Sequence, residues 1–183
     1  MFPVSKGMKV LDIGCGTGTH LKMYQEKKCN IFGVDLSESM LNVAKKKLGR
    51  NATLELYDAT NTPFSEDFFD LVYCMTVLHE MDEDIRIGVL KEADRILKSN
   101  GRILLIDFHN GQIKRFKGII SKIIITIFEI AAGRKHFKNY RHFIRNGALP
   151  GLIKSQNFVI ENQKIVGGGT FGMFLLKKGN NKM

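Results

Sequence analysis

The sequence predicts an α/β fold built on a doubly wound parallel sheet. Three observations point there. Five short apolar runs recur within residues 9–108, helical patterns fill the gaps between them, and a glycine-rich turn, GCGTG, comes directly after the first run. Short runs of nearly continuous hydrophobicity are what strands covered on both faces require, and strand–helix alternation implies parallel pairing.

The runs are KVLDI (9–13), NIFGVD (30–35), ATLELY (52–57), DLVYCM (70–75) and RILLIDF (102–108). THLKMYQEKK after Gly18 reads as the first helix. SESMLNVAKKKL reads as the second, with Ser37 as N-cap and Gly49 as the glycine after its end. DEDIRIGVLKEADRILKSNG places Ile85, Val89, Leu90, Ala93 and Ile96/Leu97 on one stripe, so a third helix is expected to run to Asn100–Gly101. Beyond Phe108 the rhythm changes. Ile113, Phe116, Ile120, Ile123/Ile124, Ile127 and Ala131 recur at helical spacing, with Lys114, Lys117 and Lys122 mostly off that stripe. Pro150 at a first helical position opens PGLIKSQN. FVIENQKIV and TFGMFLLKK then read as two strands joined through Gly167–Gly169, an antiparallel hairpin.

At 183 residues, the chain is long enough to bury most of one core. Its MFPVSKGMK start lacks the continuous apolar stretch of a signal peptide, and Cys15, Cys29 and Cys74 show neither disulfide nor zinc-site spacing. No metal site is indicated, and a reducing cytoplasm is the expected setting. The net charge of +10 is unevenly spread. Residues 1–111 hold 14 Lys and Arg against 16 Asp and Glu, whereas residues 112–183 hold 14 against Glu129 and Glu161 alone. Such asymmetry marks either a surface facing something anionic or a solubilising basic face.

The chemistry concentrates at VLDIGCGTG (10–18). A strand ending in Asp-x-Gly-x-Gly-x-Gly and entering a helix brings bare backbone against a ligand. Gly14 and Gly16 permit the turn and the close approach, and Gly18 the packing of the helix. The G-x-G-x-G spacing departs from the dinucleotide fingerprint at its third glycine, which disfavours a nicotinamide enzyme. Asp35 ends the second run at the distance where an acid receives ribose hydroxyls, or serves only as a helix-entry residue. Asp58 is suited to an exocyclic amine, or is a turn former before Pro63. Asp12 lies near the place of a ligand amino group, or is a buried acid.

Together these residues resemble the class I S-adenosylmethionine-dependent methyltransferases, particularly the small-molecule group that includes ubiquinone/menaquinone-biosynthesis enzymes. VLDIGCGTG resembles the family's first motif, with Asp12, Gly14, Cys15, Gly16 and Gly18 at the cofactor. GVDLSESML resembles its second segment, which implies Asp35 at the ribose with Leu36 and Met40 flanking the adenosine. YDATNTPFSEDFFDLVYCMTVLHEMDE resembles the next block, implying Asp58 and Ala59 at adenine and Met75 and Thr76 at the end of the fourth strand. LKEADRILKSNGRILLIDF resembles the family's next helix and its fifth strand. The resemblance implies a Rossmann-like, seven-stranded sheet, mostly parallel, whose last strand near 171–178 is antiparallel. It also implies one methyltransferase domain over 1–183, with 109–145 as a helical insertion on the acceptor side.

The implied cofactor is S-adenosylmethionine, with S-adenosylhomocysteine as product and in-line displacement as the reaction. His79, Tyr140 and His142 are the candidate catalytic groups, needed only where the acceptor must lose a proton. About eight residues precede the first strand, where most relatives carry capping helices. Either the chain is truncated or residues 109–145 build the acceptor side. A small-molecule or lipid-like acceptor is expected. The alternatives are a nucleic-acid methyltransferase using the basic third, or a non-catalytic cofactor-binding protein. The fourth strand ends in CMTVLHEM, without the Asn/Asp-Pro-Pro-aromatic tetrad of amino-group-modifying relatives, and no RNA-binding module is recognisable, so nucleic acid is the less expected substrate. GIISKIIITIFEIAAG (118–133) contains Lys122 and Glu129 and is shorter than the roughly 20 residues that a span requires. It is either a cap whose isoleucines pack on the sheet edge or an interfacial helix. In the second case Lys114, Arg115, Lys117, Arg134, Lys135 and Lys138 flank an apolar face, and residues 112–140 contact an anionic membrane from the cytoplasm.

Overall fold

The computed structural model describes residues 2–111 and 115–179, with residues 115–117 described by backbone alone. Seven strands form one sheet: β1 (Lys9–Ile13), β2 (Asn30–Asp35), β3 (Ala52–Leu56), β4 (Phe69–Met75), β5 (Leu97–Phe108), β6 (Phe158–Val166) and β7 (Phe171–Lys178). Their order is β3-β2-β1-β4-β5-β7-β6. The first five strands pair in parallel, and β7 runs antiparallel to both β5 and β6. The Rossmann-like sheet with an antiparallel last strand and the terminal hairpin are therefore as the sequence predicts.

Strand alternation divides the core between the two faces. Leu11 and Ile13 join Phe69, Leu90, Ile96 and Phe143 on one side. Val10 joins Leu21, Leu41, Leu48 and Tyr73 on the other. The helices α1 (Thr19–Glu26) and α2 (Glu38–Leu48) cover the second side. The first is covered by α3 (Glu83–Ile96), α5 (Arg134–Arg145) and α6 (Ala148–Lys154). Ser37 caps α2 by accepting from the Met40 amide at 3.4 Å, and Gly49 at φ 69° ends it.

Two local expectations need correction, and a choice left open is narrowed. The third helix stops at Ile96, well before Asn100–Gly101. Its last carbonyls are captured by the segment entering β4, with the Phe68 amide donating to the Ile96 carbonyl at 2.9 Å, and Leu97 pairs with Phe69. Sheet pairing of a fully buried leucine outweighs continuation of the stripe. The helix containing Pro150 begins two residues earlier than expected, because Gly147 in the left-handed region (φ 90°) opens α6 and its carbonyl accepts from Gly151 at 3.1 Å. Pro150 then falls in the first turn, where a missing amide costs nothing.

The open choice concerns the isoleucine-rich segment, expected either to pack on the sheet edge or to keep an interfacial apolar face. It forms α4 (Arg115–Ala131), which breaks at Gly133 (φ 113°) before α5. Ile113 and Lys114 lie outside the described residues, as do the side chains of Arg115, Phe116 and Lys117. Ile120, Ile123, Ile124 and Ile127 do not pack on the sheet edge: they are 42–60% exposed, beside an equally bare Ile119 and Phe128. Gly118 and Glu129 are the buried positions of α4 among the described residues, and Ile125 packs partly against the core.

Arg86 ties α5 to the turn after β4. It is fully buried over the Phe143 ring, its Nε donating to the Leu78 carbonyl at 2.7 Å and its Nη2 to the Asn139 carbonyl at 2.8 Å. Asn139 returns a bond to the Glu80 carbonyl at 2.7 Å. Arg86→Met keeps volume but strands these buried carbonyls, so a loss of about 3 kcal/mol is expected in urea unfolding. A loss below about 1 kcal/mol would remove Arg86 from this role.

Candidate functional site

The carboxyl ends of β1, β2 and β4 lie side by side because the strands are parallel and nearly in register. Ligands in open α/β sheets bind outside such ends, where strand order reverses on either side of β1. Two adjoining clefts of about 350 and 420 Å³ open there. Gly14, Asp35, Val77 and Glu80 line both.

The glycine loop floors one cleft. Gly14, Gly16 and Gly18 all have positive φ, at 71°, 50° and 69°. A Cβ on Gly16 would meet no protein atom within 4 Å, so the space before it belongs to the cleft. Gly18 serves packing instead: a Cβ there would lie 2.7 Å from Leu48 Cδ1 and 3.1 Å from Ala44 Cβ, on α2. Cys15, Met40, Met75 and Thr76 also line this cleft. Burial, with help from Asp12 and Asp35, pushes the Cys15 thiol up to about 12, so it stays protonated. Thr76 occupies the left-handed region at φ 53°, held by its amide bond to the Ile106 carbonyl at 2.7 Å.

Asp35 joins loop and strand. Its Oδ2 accepts from the Gly16 amide and its Oδ1 from the Ser37 amide, each at 2.8 Å. Each oxygen keeps a lone pair for one of two vicinal hydroxyls. Leu36, Asp58 and Ala59 line the second cleft, and Leu36 stands 75% exposed beside it. Asp58 Oδ1 accepts from both the amide and the hydroxyl of Thr60, at 2.8 Å, which holds its carboxyl below the usual range. It is thus a turn former whose other oxygen makes no hydrogen bond among the described residues.

The remaining candidates lie elsewhere. Asp12 is buried and outside both clefts, accepting from the Tyr73 hydroxyl at 2.7 Å. Tyr140 is buried against Phe108, with ring centroids 5.2 Å apart, and burial raises its pKa. His142 lies further along α5, outside the clefts and 3.4 Å from Glu83. His79 is buried behind the clefts, its Nδ1 2.7 Å from Asp107 Oδ1. Burial pulls its pKa down, but the Asp107 bond and the Asp107, Glu129 and Glu80 charges outweigh it and raise the pKa. None of the three lines the clefts. Glu80 does, and its position in the sequence gives little sign of it. Burial raises its pKa, against the pull of His79 and His136. The one available signal was its place directly after His79 in the fourth-strand block.

Asp12 makes stability depend on pH. Burial, opposed by the Tyr73 bond and aided by Asp35, lifts its pKa from 3.8 to about 8. The folded state therefore binds more protons than the unfolded one between these values, and stability falls as pH rises through that window. Asp12→Asn removes this titration. The variant's Tm relative to the native chain should climb between about pH 5 and about pH 8. A constant difference across that range would show that Asp12 is ionised throughout.

Comparison with known proteins places this geometry. A family model described as a methyltransferase domain matches residues 10–101. The demethylmenaquinone methyltransferase of Staphylococcus epidermidis is 33% identical over 133 residues, covering 68% of this chain and 54% of that protein. The ubiquinone/menaquinone biosynthesis C-methyltransferase of Campylobacter jejuni is 26% identical over 200 residues, covering 96% and 80%. Thus the chain spans little more than half of the staphylococcal relative. A SAM-dependent methyltransferase from Aquifex aeolicus superposes with a TM-score of 0.67 at 21% identity, over 95% of this chain and 84% of that one, a likeness of fold. With that family model matching residues 10–101, just over half of its length, the chain belongs to the methyltransferase domain family.

Proposed function

We propose that this protein transfers a methyl group from S-adenosylmethionine to a small, apolar, quinone-type acceptor reached from a membrane surface. The observation that carries the acceptor class is the bare apolar face of α4. Ile119, Ile123, Ile127 and Phe128 are each at least 50% exposed on a helix next to the clefts' α5 wall. The names of the staphylococcal and Campylobacter relatives agree with a quinone-type acceptor. No helix among the described residues is long and apolar enough to cross a membrane, so contact of this face would be peripheral. Arg134, Lys135 and Lys138, near the start of α5, supply charge for anionic headgroups.

The cofactor supplies a methyl group already activated on sulfonium. The chain supplies position. Asp35 would hold the ribose end, and the open space at Gly16, whose amide is engaged by Asp35, would take the amino-acid end. Glu80 is on the wall shared by the two clefts. A carboxylate there would take the proton from a hydroxyl of the acceptor in its hydroquinone form, which makes that acceptor a better nucleophile. With the cofactor bound, the acceptor would take the methyl group as the methyl–sulfur bond breaks and S-adenosylhomocysteine leaves, and no further co-reactant would be needed.

Calorimetry with S-adenosylhomocysteine should give micromolar affinity, roughly −7 to −8 kcal/mol, and NAD far weaker binding. Asp35→Ala should cost about 1–3 kcal/mol of that affinity, and Gly16→Val should abolish it while the fold persists. Tight NAD binding with no response to S-adenosylhomocysteine would overturn the cofactor assignment.

The acceptor reading is tested separately. The protein should sediment with anionic liposomes at low salt, and less with neutral ones or on adding salt. Ile120→Ser, Ile124→Ser and Ile127→Ser together should release it without altering S-adenosylhomocysteine binding. A native chain that ignores anionic vesicles at low salt would make the acceptor a soluble one.

A further inference from the structure

Behind the clefts, three donor groups converge from three elements. His79 lies just past β4, Glu129 ends the buried side of α4, and His136 sits in the first turn of α5. Glu129 Oε1 lies 3.5 Å from His79 Nε2, and Glu129 Oε2 lies 2.7 Å from His136 Nε2. One ligand atom from each residue falls within 4.8 Å of the others. His79 and Glu129 are buried, and His136 is half-buried at the rim.

Two further observations distinguish this cluster from a chance ion pair. Glu129 Oε2 is buried with no hydrogen bond: His136 is near enough, but not in a direction that makes one. A carboxylate oxygen in that state is unsatisfied at a substantial cost. Asp107 orients His79 from behind. Its Oδ1 faces Nδ1 at 2.7 Å, and its carboxylate also accepts from the His79 and Phe108 amides. A carboxylate only accepts, so Nδ1 carries a proton, and it is Nε2 that faces Glu129 and offers a lone pair to an ion once its own proton is displaced. This carboxylate–histidine support is what fixes the tautomer of a metal-ligating imidazole.

We infer that His79, Glu129 and His136 form a binding site for a divalent transition-metal ion, with Zn2+ the ion that two imidazoles and one carboxylate suit. The ion bridges the unsatisfied Glu129 oxygen and the two imidazole nitrogens, and so clamps the α4–α5 turn to the end of β4. Its fourth position falls to water or to Glu80, whose Oε1 is 3.8 Å from His79 Nε2. Glu80 lines both clefts, so the ion sits one carboxylate away from the cofactor. Glu129 and His136 are separated from His79 by at least fifty residues, and no motif spacing links them.

The test uses the tag-free full chain, stripped by a chelator and titrated with Co2+ in the absence of cofactor and acceptor. Expected are visible d–d bands of a low-coordinate site that saturate at one ion per chain, bleaching by Zn2+, and a higher Tm with Zn2+ bound. His136→Ala and Glu129→Gln should each weaken Co2+ binding at least about tenfold while S-adenosylhomocysteine still binds. Should Glu129→Gln fail to fold, His136→Gln at the rim gives the same reading. A native chain that shows no d–d bands has an ion-pair cluster instead, and folded variants that bind Co2+ as tightly as the native chain place the ion elsewhere. Either result overturns the inference. S-adenosylhomocysteine binding stands apart from both, so failure here leaves the methyltransferase reading untouched.

Discussion

Parallel pairing of β1 between β2 and β4 is the constraint on which the rest depends. It lines up Ile13, Asp35 and Met75 at one edge, and the glycine loop, the Asp35 carboxylate and the Thr76–Glu80 wall extend from those three ends. Gly14 and Cys15 continue that edge by donating both of their amides to the Val34 carbonyl, at 2.9 and 3.1 Å. Gly16 then reaches Asp35 itself. The loop is therefore held by the neighbouring strand before any ligand arrives, and its open side is defined by the missing Cβ at Gly16. Preorganisation of this kind spares a ligand the cost of ordering the loop.

The strand ends also carry buried acids, and the fold neutralises them differently. Asp12 has a phenol for a partner and gains a proton, its pKa rising with burial. Asp107 has an imidazole and two amides. These two solutions set what each strand end offers. β1 ends in a neutral support beneath the glycine loop. β5 ends in a carboxylate that orients His79, and through it the donor cluster under the insertion. Burying a charge without such partners would cost several kcal/mol.

Much of this was legible in the sequence where local signals and tertiary demands agreed. The runs at 9–13 and 30–35 became β1 and β2 without a shifted residue, because their hydrophobicity, their length and the flanking Asp or Gly all say the same thing. Gly14, Cys15, Gly16, Asp35, Leu36, Met40, Asp58, Ala59, Met75 and Thr76 line the clefts. Asp12 and Gly18 do not, since one faces Tyr73 and the other packs under α2. Legibility failed where two signals conflicted. The stripe of α3 continues through Leu97, but strand pairing with Phe69 claims that residue. Glu80, Glu129 and His136 were missed because only the fold assembles them: nothing in their spacing relates β4 to the α4–α5 turn.

The α4 helix shows what periodicity alone leaves open. Its apolar stripe is real, yet that stripe faces outward, and the helix is seated instead through Gly118, Ile125 and the carboxylate of Glu129. A helix normally buries its hydrophobic side because that is where the free energy lies, roughly 25 cal/mol for each Å² removed from water. Five bare isoleucines and a phenylalanine between Ile119 and Phe128 forgo that gain within the chain. The polar anchor at Glu129, with His79 and His136 around it, lets the helix be held by one end of its inner face while its outer face remains available. The anchor and the bare face are thus one arrangement. The attachment is polar and leaves the apolar surface uncovered within the chain, which is the surface that the proposed membrane contact would use.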